Sequence, residues 1–221
     1  MSETDSFIEE VTEEVRRDKL FAQMRKYGWI GVVAVAAIVG GAAYNEYTKA
    51  QKTSRSQAFG DAILTAIEAD SAEARTSGLA GIDAPTQQGR VVVSLLQAAE
   101  EAAEGGIGAA TDILGTVANQ TEVDAQYRDL AFFKQLIRTG EGALPTQERR
   151  AGLDELATAG NPLRLLAEEQ IALMDVAEND IDAAVTRLSA ILEDAELTQG
   201  LRQRVTQLMI ALGQDPTALA Q

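Results

Sequence analysis

The sequence predicts an all-α protein: a single N-terminal transmembrane helix, then an α-solenoid of about three helix pairs plus a capping helix. Three observations carry this prediction. Nineteen consecutive positions, residues 27–45, carry no charge. The rest of the chain is Ala-rich, with four prolines and few aromatic residues, whereas a sandwich or barrel would want more Val, Ile, Thr and aromatics. Two segments 74 residues apart repeat the same order of small and large residues.

The composition narrows the chemistry. There is no cysteine, so disulfides, thiolate metal sites and Cys nucleophiles are excluded. There is no histidine, which removes the commonest general base and metal ligand. The net charge is −15, and residues 56–221 alone hold eleven Lys/Arg against twenty-six Asp/Glu. Phosphates would be repelled, which argues against nucleic acid and against contact with an anionic lipid surface.

Residues 1–26 read as a cytoplasmic amphipathic segment. Ser6-x-x-Glu9 has the form of a capping box, and Phe7, Ile8, Val11 and Val15 follow at helical spacing. Residues 27–47 read as the membrane span. Nineteen residues at about 1.5 Å each give a helix of roughly 28 Å, close to the hydrocarbon thickness of a bilayer. Tyr27 and Trp29 stand at one end and Tyr44 and Tyr47 at the other, as an aromatic belt requires. Five Lys/Arg precede the span, ending in Arg25 and Lys26, and three follow it. That bias places the N-terminus in the cytoplasm and the acidic part in the periplasm. A cleavable signal peptide is the rival reading, with Gly41-Ala42-Ala43 as a cleavage site. The long, acid-rich, capped segment ahead of the span argues against it.

Residues 48–84 are expected to form a stalk helix and connecting turns. Phe59, Ile63 and Ile67 fall on one side, and "SGLAGIDAPTQQG" reads as turns around a short helix. The repeat domain is expected over residues 85–221. "VVVSLL" runs into "QAAEEAAE" without a turn residue, so it belongs to a helix beginning near Pro85. In residues 94–119, Ala98, Gly105, Ile107, Ala110, Leu114 and Val117 stand at fixed offsets. In residues 168–194, Ala172, Asn179, Ile181, Ala184, Leu188 and Ile191 stand at the same offsets. Each segment predicts a helix, a tight turn at Gly or Asn, and a second helix, with a small residue at the crossing. This is the spacing of a tetratricopeptide repeat. Between the copies, "DAQYRDLAFFKQLIRTG" and "TQERRAGLDELATAG" form an irregular middle pair joined by a longer loop around residues 141–145. "TQGLRQRVTQLMIALG" is the capping helix, with Arg202, Gln203, Arg204 and Gln207 as its polar face.

No motif for catalysis or a cofactor stands out. "GGIGAAT" follows a helix rather than a strand, so it reads as a helix–helix turn and not a dinucleotide loop. "DVAENDID" lacks the glycine and closing Glu of a calcium loop. Glu100, Glu101 and Glu104, like Glu193, Asp194 and Glu196, read as solvated faces. Lys134 beside Phe132 and Phe133 has no nearby serine for a dyad. No cofactor, metal or enzymatic activity is expected.

Three stretches carry a family resemblance: "FIEEVTEEVRRDKLFAQMRKYG" (7–28) with the anchor after it, "GNPLRLLAEEQIALMDVAENDIDAAVTRLSAIL" (160–192) and "LRQRVTQLMIALG" (201–213). In these the chain resembles the YfgM-like proteins of proteobacterial inner membranes, in their alphaproteobacterial branch. The resemblance implies a single-pass inner-membrane protein ancillary to the SecYEG translocon, working beside a periplasmic chaperone such as PpiD on exported chains. Asp175 stands where the repeat usually has an aromatic residue. The residues alone equally permit a structural subunit or assembly factor of another envelope complex, in cell division or respiration.

Overall fold

The computed structural model describes residues 3–214, and the side chains of residues 17, 21 and 24–214. Nine α-helices and no strand occur among the described residues: α1 (Glu3–Ile67), α2 (Ala72–Ala80), α3 (Gln87–Ala103), α4 (Ile107–Ala118), α5 (Ala125–Leu136), α6 (Thr146–Leu156), α7 (Arg164–Ala177), α8 (Ile181–Glu193) and α9 (Gln199–Ala211). The chain divides into two units, Met1–Ala58 and Phe59–Gln221.

The first unit is helical from Glu3 onward as part of α1. Ser6 and Glu9 lie in this helix, but the side chains of the expected capping box are outside the described ones. Neither Gly28, Gly31, Gly40 nor Gly41 interrupts it, because every backbone N–H of a helix has its own acceptor four residues back.

In the second unit, α2 to α9 pack on their neighbours in chain order. Four apolar clusters run along this stack. Ala66, Leu79 and Val93 join the end of α1 to α2 and α3, with Phe59 and Ile63 against them. Val91, Ala98, Ala110, Leu114, Val117 and Ala131 join α3, α4 and α5. Leu136, Leu153, Leu156, Ala167, Ile171 and Met174 join α5, α6 and α7. Ala172, Leu188, Ile191, Leu201, Val205 and Met209 join α7, α8 and α9. Helix α7 therefore buries apolar residues on two sides, one toward each flanking cluster.

Turn chemistry sets the corners. Gly105 takes φ +85° and Asn179 takes φ +64°, the left-handed conformation that ends a helix. At both, the same pair of backbone bonds closes the end: Gly106 N–H to Glu101 O and Gly105 N–H to Ala102 O, then Asp180 N–H to Asp175 O and Asn179 N–H to Val176 O. Gly213 ends α9 in the same way, at φ +78°. Thr86, Asp180 and Thr198 cap the N-termini of α3, α8 and α9 with their side-chain oxygens.

The short helix expected within 77–89 is the end of α2, and turns follow it up to α3. Ser71 caps a helix that already runs through Ala80, and α3 begins at Gln87. The loop of the middle pair is longer than 141–145, because α5 stops at Leu136. Gly140 and Gly142 turn it at φ +115° and +82°, and Gly142 lies against the backbone of Gly108 at the start of α4.

Candidate interaction surfaces

The exposed apolar surface of α1 is the first feature with functional content. Every side chain from residue 24 to residue 47 is exposed, including Trp29 (64%), Ile38 (72%) and Tyr44 (71%). Met24–Ile67 is the one stretch among the described residues long and apolar enough to cross a membrane, as an anchor or as a signal sequence. The predicted interface residues Arg25, Lys26, Tyr27, Trp29, Tyr44 and Tyr47 are all exposed on it. Lys26 Nζ sits 5.4 Å from the Tyr27 ring centroid, a cation–π contact. At the other end, Gln51 Nε2 donates to the Tyr47 hydroxyl at 3.3 Å, and Thr48 Oγ1 donates to the Asn45 carbonyl at 2.9 Å.

The six residues singled out for packing are all buried. Ala98, Ala110 and Leu114 lie in the α3–α5 cluster, and Ala172 and Leu188 lie in the α7–α9 cluster. Ala184 is fully buried on α8. Alanine at such positions lets two helix backbones approach closely, while the leucines fill the space between them.

Around α7 the structure assembles an ion-pair network that the sequence did not announce. Asp175 is 5% exposed and sits between two guanidinium groups. Arg150 Nη2 of α6 donates to its Oδ1 at 2.7 Å, and Arg187 Nε of α8 donates to its Oδ2 at 3.4 Å. Arg150 also reaches Glu178, and Arg187 also pairs with Glu168. Arg204 of α9 holds buried Glu169 through two bonds of 2.7 Å. Arg164 spans to Asp194 and Glu196 at 2.8 and 3.0 Å. Asp175 is thus a buried carboxylate with two cationic partners. This satisfies the demand that a buried charge be paired.

The electrostatics follow. The Asp194 carboxyl is held below the usual carboxylate range, first by the Glu196 N–H it accepts and then by the Arg164 guanidinium. Asp175 raises Arg150, and Glu169 raises Arg204, above the ordinary arginine value. The acidic runs are therefore not simply solvated faces. Glu100 accepts from Arg75 Nε at 2.6 Å, and Asp194 and Glu196 share Arg164. Lys134 is half-buried on α5 and enters none of the described ion pairs.

A groove of about 440 Å³ opens between the C-terminal end of α5, the start of α6 and α7. Ile137, Met174 and Leu173 give it apolar walls, and Arg149 and Glu178 stand at its edge. No group of His, Cys, Asp and Glu among the described residues has the makings of a metal site. No family model matches the chain, and no curated protein or solved structure is significantly similar to it.

Proposed function

We propose that this is a non-enzymatic interaction protein, anchored once in the bacterial inner membrane, with its N-terminus in the cytoplasm. Its C-terminal tetratricopeptide-repeat-like domain stands in the periplasm and binds protein partners. The observation that carries this reading is the exposed apolar surface of residues 24–47. In water it would form an untenably large apolar patch, and in a bilayer it is solvated. The Lys/Arg bias supports the orientation, and the acid-rich segment before the span supports retention over cleavage.

The consecutive stacking of α2 to α9 supports a repeat architecture, and the matched turns at Gly105 and Asn179 support two copies of one unit. Such stacks present helix faces to peptides rather than enclosing a reaction centre. The resemblance to the YfgM-like proteins points to the SecYEG translocon and a periplasmic chaperone such as PpiD as partners.

In-cell photo-crosslinking from positions in the anchor and in α3–α9 tests the reading. Translocon subunits or a periplasmic chaperone are the expected adducts. Recovery of cytoplasmic partners alone, or of a cleaved protein lacking residues 1–26, would overturn it.

A further inference from the structure

We infer that the basic stripe of the stalk, Lys49, Lys52 and Arg55, is a binding site for anionic phospholipid headgroups in the leaflet on the stalk side of the bilayer. The assignment rests on residues 24–47 spanning that bilayer and names the lipid chemistry that the anchor takes beside it.

Position is the first support. Helix α1 runs unbroken through the span and on to Ile67, so residues 48–58 keep the helical spacing of the anchor. Lys49, Lys52 and Arg55 fall three residues apart and share an arc of about 120° on one side of the helix. Along the axis they lie about 3, 8 and 12 Å past Tyr47. The headgroup layer beyond the hydrocarbon is about 5–8 Å deep. Every Cα–Cβ bond of a helix leans toward the helix N-terminus, which in the stalk is toward the span. The three long side chains therefore start back toward the bilayer, and Arg55 spans the remaining few ångströms with its aliphatic stem.

Charge is the second support. Residues 46–60 hold these three cations and one acid, Glu46, and the acidic run of the second unit begins only at Asp61. Lys49, Lys52 and Arg55 are exposed and enter none of the described ion pairs. Their charge is open to a ligand, unlike that of Arg75, Arg150, Arg164, Arg187 and Arg204, which carboxylates of their own unit hold. Cations on this side also oppose the Lys/Arg bias that orients the span, so topology does not account for them. A phosphate-bearing surface does. It attracts each Lys or Arg near it, and a stripe on one side draws that side of the helix down to the headgroups. The repulsion expected of residues 56–221 starts beyond this stretch.

The chain has no cysteine, so single positions of the full-length protein can be labelled cleanly. Ser56→Cys places a fluorophore on the arc of the three bases, and Ser54→Cys places one on the opposite side. Both serines are exposed. Each protein is reconstituted in vesicles of phosphatidylcholine alone, or of phosphatidylcholine with phosphatidylglycerol. A trace of phosphatidylcholine with a nitroxide headgroup serves as quencher in both. Phosphatidylglycerol is expected to raise quenching at position 56 by about twofold or more, to leave position 54 nearly unchanged, and to lose its effect as salt rises. The triple variant Lys49→Gln, Lys52→Gln, Arg55→Gln should abolish the rise. Its changes fall on exposed side chains and keep good helix formers, and circular dichroism checks the helix.

Equal quenching at position 56 in the two kinds of vesicle, the result for a stripe reserved for an acidic protein segment, would overturn the proposal. So would a rise that survives the triple substitution. Relief of the quenching by inorganic phosphate, beyond that by chloride at equal ionic strength, would assign the stripe to free phosphate instead. Protein that resists carbonate extraction while its quenching ignores the lipid loses only the headgroup assignment. Protein that carbonate extracts from the vesicles loses the anchor itself, and the headgroup assignment with it.

Discussion

A Cβ added at Gly152 would stand 2.6 Å from Leu136 Cδ2 and 2.7 Å from the Phe132 ring, so α5 and α6 cross at a point only glycine leaves open. Gly152→Val is expected to destabilise the second unit by about 1–3 kcal/mol, seen as a lower urea midpoint. Gly152→Ala should cost less, since its neighbours are the ends of flexible side chains and alanine is the better helix former. Asp175 is the other residue with a large expected effect. Asp175→Asn keeps the shape and removes the charge that faces Arg150 and Arg187. Both arginines are partly exposed and keep Glu178 and Glu168, so the expected loss is about 1–2 kcal/mol, below the range for a fully buried pair. Neither role was legible in the sequence. Gly152 reads locally as an ordinary helix-weakening glycine, and the partners of Asp175 lie 25 and 12 residues away on other helices.

Among the elements, the helix pairs were readable because their signals are local. Gly105 and Asn179 stop α3 and α7 with the same hydrogen bonds, and isoleucine opens the next helix at Ile107 and Ile181. Asn179→Gly should be neutral or slightly stabilising, whereas Asn179→Val should cost about 1 kcal/mol or more, because a β-branched residue resists φ +64°. Thermal denaturation of the pair of variants checks the difference. The loop of the middle pair was misjudged because its length depends on where α5 ends and on its packing against Gly108, a non-local contact. For α1, Ile38→Arg places a charge near the centre of the uncharged stretch. It is expected to oppose insertion by about 2.5–3.5 kcal/mol and to shift protein out of the carbonate-resistant membrane fraction.

On the scale of the whole molecule, charge governs the response to acid. Asp194 has a folded-state pKa below its unfolded value, so its contribution to stability is present above the ordinary carboxylate range. That contribution is lost as the pH falls through the depressed folded value. Melting temperature should therefore decline as pH drops below about 4, and Asp194→Asn should flatten that part of the profile. The arginines stay charged throughout, so they add no step of their own.

The carboxylates of α7 also impose an order in time. Glu169, buried on that helix, waits for Arg204, which lies 35 residues later in the chain. A chain delivered N-terminus first already holds every residue of the α3–α5 cluster, 91–131, before Glu169 itself arrives. It cannot neutralise Glu169 until its last helix has arrived. The earlier pairs are thereby finished while the last still carries an uncompensated charge, and a truncation ahead of Arg204 would leave the third pair held open rather than merely shortened.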